Sequence, residues 1–409
     1  MNKTPILFWS DAVSASSGLA RITRDLAVRV HNHLGEQFRV ASVGYGGPGS
    51  SRLGFPQYSW HFREDWLMPE LPEIWDDFAG NERGILFSIH DLNRVMWMSL
   101  PETCADPRLQ KWLHNRRFDL WGYFPIDAAG PAGRLSFMLG ESCKGFDRIL
   151  AYTKWAQKIL ESTLGYRQCE DRQLTNIPHG IDTSVFYPRD RKDARKMVGF
   201  YTVGKQVPIG DKDILVGIVA TNQARKDFGQ AVEVLAELKK RHNVKVWIHT
   251  DAVDRYWSIP YLLQDLGAPD AIISVNVISD DVMAQLYSAC DVTLGIGLGE
   301  GMGYPIFESM ACGTPCVHGK YGGAAEYLPP ELLVPVMNYR IEGIYGNRRP
   351  VFQVGDWVQR IESALKMDRE KIKLHPDLDW NGNLESRWLE WFKTGVSSET
   401  EVRQDGITV

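Results

Sequence analysis

The sequence predicts an α/β protein made of two successive halves, each a parallel sheet with crossover helices. Three observations predict it. Short apolar runs alternate with helical patterns almost throughout. The length of 409 residues suits two domains at roughly 100–200 residues each. A charged, irregular stretch from Arg189 to Lys212 separates one strand-and-helix series from the next. The predicted division is residues 1–188, residues 189–375, a C-terminal helix over 376–393 packing back on the first half, and a polar tail over 394–409.

Composition bounds the function classes. A 44% apolar and 24% charged chain has enough apolar material for two cores. The net charge of −5 gives no general drive towards nucleic acid or anionic membrane, and leaves room only for a local basic patch. None of the six cysteines forms a C-x-x-C pair. Cys312 and Cys316 stand alone in an apolar helix-to-strand segment, so the thiols read as buried and free rather than zinc-bound. Scattered cysteines in a chain of this length point to a reducing, cytoplasmic setting. Pro5–Trp9 is too short for a signal segment, and no apolar run approaches the roughly 20 residues that span a bilayer.

In chain order, Ile6–Trp9 reads as a first strand. The small-residue loop Asp11–Gly18 follows, then a helix with Leu19, Ile22, Leu26 and Val30 on one face. Further strands are predicted at Phe38–Val43, Gly84–Ile89, Leu120–Phe124 and Arg148–Tyr152. Residues 44–80, rich in Gly, Pro and Trp, read as a long surface excursion. In the second series, strands are predicted at Ile214–Ala220, Lys245–Thr250, Ile272–Val277, Asp291–Ile296 and Thr314–His318. Helices are predicted at Asp227–Arg241, Asp280–Ala289 and Pro305–Cys312. A last helix places Leu384, Trp388, Trp391 and Phe392 on one face, and the residues from Thr394 read as frayed.

The chemistry concentrates in Gly295-Ile-Gly-Leu-Gly-Glu-Gly-Met-Gly-Tyr-Pro-Ile-Phe-Glu308, between a buried strand and a helix. Glycine at alternate positions lets backbone N–H groups approach a ligand closely. Pro305 suits the first helical turn, and a helix N-terminus is an anion site. Glu300 and Glu308 flank the turn, and a carboxylate can accept two hydrogen bonds at once, as a vicinal diol offers. Either carboxylate alone has an ordinary structural explanation; the two with the glycine loop point to a sugar or ribose. A second element, Val216-Gly-Ile-Val-Ala-Thr-Asn222-Gln-Ala-Arg225-Lys226-Asp-Phe228, runs from a strand through a polar loop into a helix. Its two cations suit a departing diphosphate, although such a pair is more often simply solvated.

The stretch from Glu300 to Val317 resembles the E-x7-E signature of the family-4 retaining glycosyltransferases, whose usual form is E-G-F-G-L-P-x-x-E-A-M-A-C-G-T-P-V-V. The resemblance implies the GT-B fold: two Rossmann-like domains with parallel sheets facing a central cleft, the donor held mainly by the C-terminal one. It implies that Glu300 binds the transferred sugar and Glu308 the nucleotide ribose, with Gly301 and the backbone at Met302, Gly303 and Tyr304 lining the pocket. Met302 and Tyr304 depart from the usual Phe and Leu. Lys226 and Arg225 match the family's cationic pair, with Ala220 where an earlier arginine is usual, and Asn222 lies in the same donor-side loop. Ser17 and Gly18 correspond to the family's first loop near the phosphates. His90, in Ser88-Ile-His-Asp91, corresponds to its histidine near the reacting carbon. Asn176-Ile-Pro-His-Gly-Ile-Asp182 with Phe186 resembles its hinge, and Gly322-Gly-Ala-Ala-Glu326 its G-G-x-x-E.

The implied reaction moves a hexose or pentose from a nucleoside diphosphate sugar, UDP-sugar first among them, to an acceptor hydroxyl with retained configuration. No carboxylate stands out as a covalent nucleophile, so front-face displacement fits better. No cofactor and no metal are called for, because cationic side chains meet the leaving charge; Asp211-Lys-Asp213 mimics a metal motif but reads as solvated. Neither Glu300 nor Glu308 is expected to matter for folding. The acceptor is not legible. Arg116-Arg117, Arg189–Lys196 and Arg348-Arg349 lie near Trp and Tyr residues and offer contacts to nucleic acid, as in phage enzymes that glycosylate hydroxymethylated bases. A dehydrogenase would need G-x-G-x-x-G after the first strand, which Asp11–Gly18 lacks. A non-catalytic nucleotide-sugar binder is the remaining alternative, against which Glu300, Lys226 and Glu308 together argue.

Overall fold

The computed structural model describes residues 3–47, 51–60, 68–198 and 209–404. The chain divides into two compact units, Met1–His179 with Asn383–Val409, and Gly180–Gly382. The first unit holds a seven-stranded parallel sheet: β1 (Thr4–Asp11), β2 (Phe38–Tyr45), β3 (Gln57–Trp60), β4 (Gly84–Ser88), β5 (Phe118–Phe124), β6 (Arg148–Ala151) and β7 (Thr175–Asn176), in the order 3-2-1-4-5-6-7. The second unit repeats the plan with β8 (Ile214–Val219), β9 (Val244–His249), β10 (Ala271–Ser274), β11 (Val292–Gly295), β12 (Cys316–Gly319) and β13 (Leu333–Val334), in the order 10-9-8-11-12-13. An antiparallel pair, β14 (Asn338–Glu342) and β15 (Asn347–Val351), forms its own two-stranded sheet.

Strands buried on both faces explain the continuous apolar runs: every residue of β4 and β5 is buried. In each sheet the strand order reverses once, at β1/β4 and at β8/β11. Open α/β sheets bind ligands in the crevice at the carboxyl ends of strands where the order reverses. The loops after these four strands carry Ser17 and Gly18, His90, Arg225 and Lys226, and Gly297 to Gly303.

Three predicted segments differ. The described residues within 44–80 are not a surface excursion: β3 extends the sheet in register Ser42↔Gln57, and the helix Leu71–Ala79 buries Trp75 completely. That pairing is non-local, and four-residue strands carry little periodic signal. The stretch from Arg189 is not simply a linker, for it contains the helix Arg191–Val198. There Arg195 is buried and reaches Asp291 at 2.7 Å and the Gly210 and Asp213 carbonyls at 2.7 and 3.0 Å. Charges directed inward look the same in sequence as charges in solvent. The last helix, Glu385–Gln404, continues beyond the point where fraying is expected.

That helix belongs to the first unit. Trp388 donates its indole N–H to the Pro178 carbonyl at 2.8 Å. The Arg148 guanidinium lies over the rings of Trp391 (4.2 Å) and Trp121 (5.0 Å). Phe392, fully buried, meets Phe8, Phe38 and Phe87 at ring distances of 6.2, 6.4 and 5.7 Å. Phe392→Ala therefore lowers the unfolding free energy by about 3–5 kcal/mol. Denaturant titration checks this, and a change below about 1 kcal/mol would show that the helix is not part of this core.

Candidate active site

The site is built from two loops that clip together in the second unit. The first follows β8 and ends at Asp227, whose carboxylate caps the helix Phe228–Lys239 by accepting from the Gln230 N–H at 3.1 Å. The second follows β11. The Leu298 N–H donates to the Arg225 carbonyl (2.8 Å) and the Asp227 N–H to the Ile296 carbonyl (3.1 Å), so the backbone fixes Lys226 opposite Gly297.

This clip brings Glu300, Lys226 and Arg225 together. One oxygen of the Glu300 carboxylate accepts from the Lys226 ammonium and from Arg225 Nη1 at 3.1 Å; Arg225 also donates to the Gly299 carbonyl at 3.2 Å. Burial alone would raise the Glu300 carboxyl, but the Lys226 and Arg225 charges outweigh it and hold it at about 2. A Cβ on Gly297 would collide with that carboxylate oxygen, so a side chain there would push Glu300 out of its place between Lys226 and Arg225. Gly303, at φ +84°, turns the chain into the helix Tyr304–Ala311, with Pro305 in its first turn. The Gly323 N–H donates to the Glu300 carbonyl at 2.9 Å, which is how Gly322-Gly323 abuts the site.

A small pocket is lined here by Lys226, Glu300, Gly303, Pro305 and Tyr287, among others. Glu308 is buried, and one of its oxygens accepts from the Tyr287 hydroxyl at 2.8 Å. Gly301, Met302 and Tyr304 form the wall of the turn, all three buried. Both carboxylates are therefore interior groups with partners, and the expectation that neither matters for folding is corrected: removing either leaves a buried donor unsatisfied.

The Asn222 side chain is engaged within the protein. Its side-chain amide donates to the Ala252 and Trp257 carbonyls (3.0 and 2.7 Å) and accepts from the Trp257 N–H (2.9 Å). Fully buried, it ties the cation loop to the segment after β9. Ser17 likewise caps the helix Gly18–Leu34, accepting from the Ala20 N–H at 3.1 Å and donating to Asp11. His90, in the first unit, is fully buried against Trp9 at the carboxyl end of β4. Burial, with Arg94 adding to it, lowers its pKa to about 3, and neither ring nitrogen has a hydrogen-bond partner among the described residues.

Two residues were not singled out from sequence. Tyr287 sits at helical spacing with Met283 and Ala284, a pattern that reads as core. His318, buried at the end of β12, contacts the Gly295 carbonyl through Nδ1 at 2.6 Å. A histidine at a strand end is the signal that marked His90, and it marks His318 equally. No group of three His, Cys, Asp or Glu side chains among the described residues is arranged to hold a metal ion. The cysteines are free, five of them buried, and among the described residues no helix is long and apolar enough to cross a membrane.

Two parallel α/β sheets, each with its loops at the point of strand reversal, define a GT-B fold. Residues 203–333 match the family model described as Glycosyl transferases group 1. The matched stretch lies within the second unit. The chain is similar to D-inositol 3-phosphate glycosyltransferase of Acidothermus cellulolyticus, 27% identical over 188 residues, which are 43% of this chain and 39% of that protein. It is similar to the MMP alpha-(1->4)-mannosyltransferase of Mycolicibacterium hassiacum, 24% identical over 159 residues, 39% of this chain and 34% of that protein. The match thus spans well under half the length of these curated relatives. Over 97% of its length the chain resembles Anabaena HepE, solved in complex with UDP and glucose, at a TM-score of 0.64 and 13% identity, covering all of that chain. At that identity the likeness speaks for the fold alone.

Proposed function

We propose that the protein transfers a hexose or pentose from a UDP-sugar to an acceptor hydroxyl, with retained configuration and without a metal ion. One observation carries the reading: a buried carboxylate, Glu300, shared by Lys226 and Arg225 at the reversal point of the second sheet, beside the helix entered through Gly303. The HepE structure holds UDP and glucose, which supports a uridine donor.

In this reading the bond from the anomeric carbon to the diphosphate oxygen breaks and its electron pair leaves with the diphosphate. Lys226, Arg225 and the N–H groups at the start of the helix Tyr304–Ala311 receive that charge. The acceptor oxygen bonds to the carbon on the same face, and its proton passes to the departing phosphate. Glu300 holds the sugar hydroxyls as the ring flattens towards an oxocarbenium ion. Glu308, oriented by Tyr287, accepts from the ribose hydroxyls.

Because the side chains carry the positive charge, turnover of UDP-sugar survives EDTA. Coupled detection of released UDP with UDP-glucose, UDP-galactose and UDP-N-acetylglucosamine measures this. Full loss on chelation, restored by manganese or magnesium, contradicts the mechanism.

A further inference from the structure

We propose that the two-stranded ribbon of β14 and β15 is a nucleic-acid contact surface, holding a phosphate backbone beside the donor site. The inference rests on the glycosyl-transfer reading and deepens it by giving the chemical class of the acceptor-bearing partner.

The three basic clusters of the chain differ in what their charges do. Arg116 pairs with Asp147 at 2.8 Å and Arg117 with Asp76 at 2.5 Å. Arg189 pairs with Asp281 and Arg195 with Asp291, both at 2.7 Å, and Lys196 with Asp193 at 2.8 Å. Apart from exposed Lys192, those charges are neutralised within the protein. Arg348 has no carboxylate partner among the described residues; its guanidinium lies 3.7 Å from the centre of the Tyr339 ring. Exposed Lys320 is equally unpaired. A guanidinium lying over an aromatic ring keeps its N–H edge for an anion.

The ribbon joins the site through Tyr321. Its hydroxyl donates to the Arg348 carbonyl, its ring lies 5.8 Å from that of Tyr339, and it precedes Gly322-Gly323, which abuts Glu300. Arg348 is thus tied through Tyr321 to the segment that abuts Glu300, while Arg340 on the other face pairs with Glu342 at 3.4 Å.

The register decides between a nucleic acid and a membrane. An interfacial element separates an apolar face from a cationic one. Here Ile341 stands directly opposite Arg348, so they share a face, while Arg340 stands opposite Arg349 on the other. Neither face is purely apolar. A two-stranded ribbon fits a DNA major groove about 12 Å wide. Ile344, 91% exposed between the strands, suits contact with base edges or a base step. With a net charge of −5 on the whole chain, the attraction is local and strongly salt-dependent.

The test is fluorescence anisotropy with a labelled DNA duplex of about 20 base pairs across a salt series, with the native chain and the Lys320→Glu, Arg348→Glu double variant. Sedimentation with phosphatidylglycerol vesicles runs beside it. Neither residue belongs to the donor machinery, so UDP binding and melting temperature stay unchanged in the variant. The expected result is duplex binding that weakens as salt rises, about 10-fold or more weaker in the variant and with a smaller salt slope. Absence of duplex binding, equal affinity in both proteins, or binding to vesicles but not to duplex overturns the proposal. Failure of UDP to bind the native chain would instead remove the donor reading, and the duplex result stands apart from it.

Discussion

Lys226→Ala lowers turnover by about 10²-fold or more while nucleotide affinity falls much less. The ammonium is held in place by the Lys226–Gly297 backbone bridge and by the Glu300 carboxylate, so it is oriented before the diphosphate begins to leave. A preorganised cation of this kind acts on charge that grows in the transition state, and its loss appears in kcat. The same substitution leaves Glu300 with Arg225 alone. Glu300 titrates near 2 in the folded protein against an ordinary value of 4.5, so its charge adds stability above about pH 4.5 and loses it as pH falls towards 2. Without Lys226 that depression shrinks, and the acid limb of both activity and stability moves to higher pH. Steady-state rates and melting temperatures from about pH 2 to 8 for the native chain, Lys226→Ala and Lys226→Arg measure both effects. Turnover within about threefold of native in the alanine variant would show that Lys226 is only a structural partner of Glu300.

Glu308→Ala weakens UDP binding roughly 10- to 150-fold, the equivalent of one charge-assisted hydrogen bond of about 1.5–3 kcal/mol. The carboxylate is buried and its direction is set by Tyr287, so it meets a diol without further ordering. Tyr287→Phe removes that constraint and costs less. A sharper form compares UDP with its 2′,3′-dideoxy analogue: native protein separates the two, and Glu308→Ala does not. Equal discrimination in both proteins would place the ribose elsewhere. Glu308→Ala also leaves the Tyr287 hydroxyl buried without its acceptor, so a lower melting temperature accompanies the weaker binding.

Much of this site is legible in sequence because its signals are local. Alternate glycines between Gly295 and Gly303, Pro305 at a helix start and a carboxylate on either side need only neighbours within one loop. The succession of strands and helices is also accessible, since each strand, turn and helix of an α/β half is contiguous. What stays hidden depends on long-range placement. Asn222 and Lys226 sit four residues apart in one polar loop, yet one faces the segment after β9 and the other faces Glu300. Tyr287 and Glu308 meet across 21 positions, and nothing in the helix Asp280–Ala289 separates a hydroxyl that orients a carboxylate from one that fills a core. β3 pairs with β2 across a Gly- and Pro-rich stretch whose composition points to loop. Arg191 and Arg195 look like solvated linker charges until Asp291 is brought beside them.

The central claim is that the second unit holds a nucleoside diphosphate at Lys226, Glu300 and Glu308. Isothermal titration calorimetry of the native protein with UDP in the presence of EDTA tests it most directly. Saturable one-to-one binding is expected, weakened at least about 10-fold in Glu308→Ala. No heat of binding at millimolar UDP, or affinity unchanged by Glu308→Ala, would contradict it.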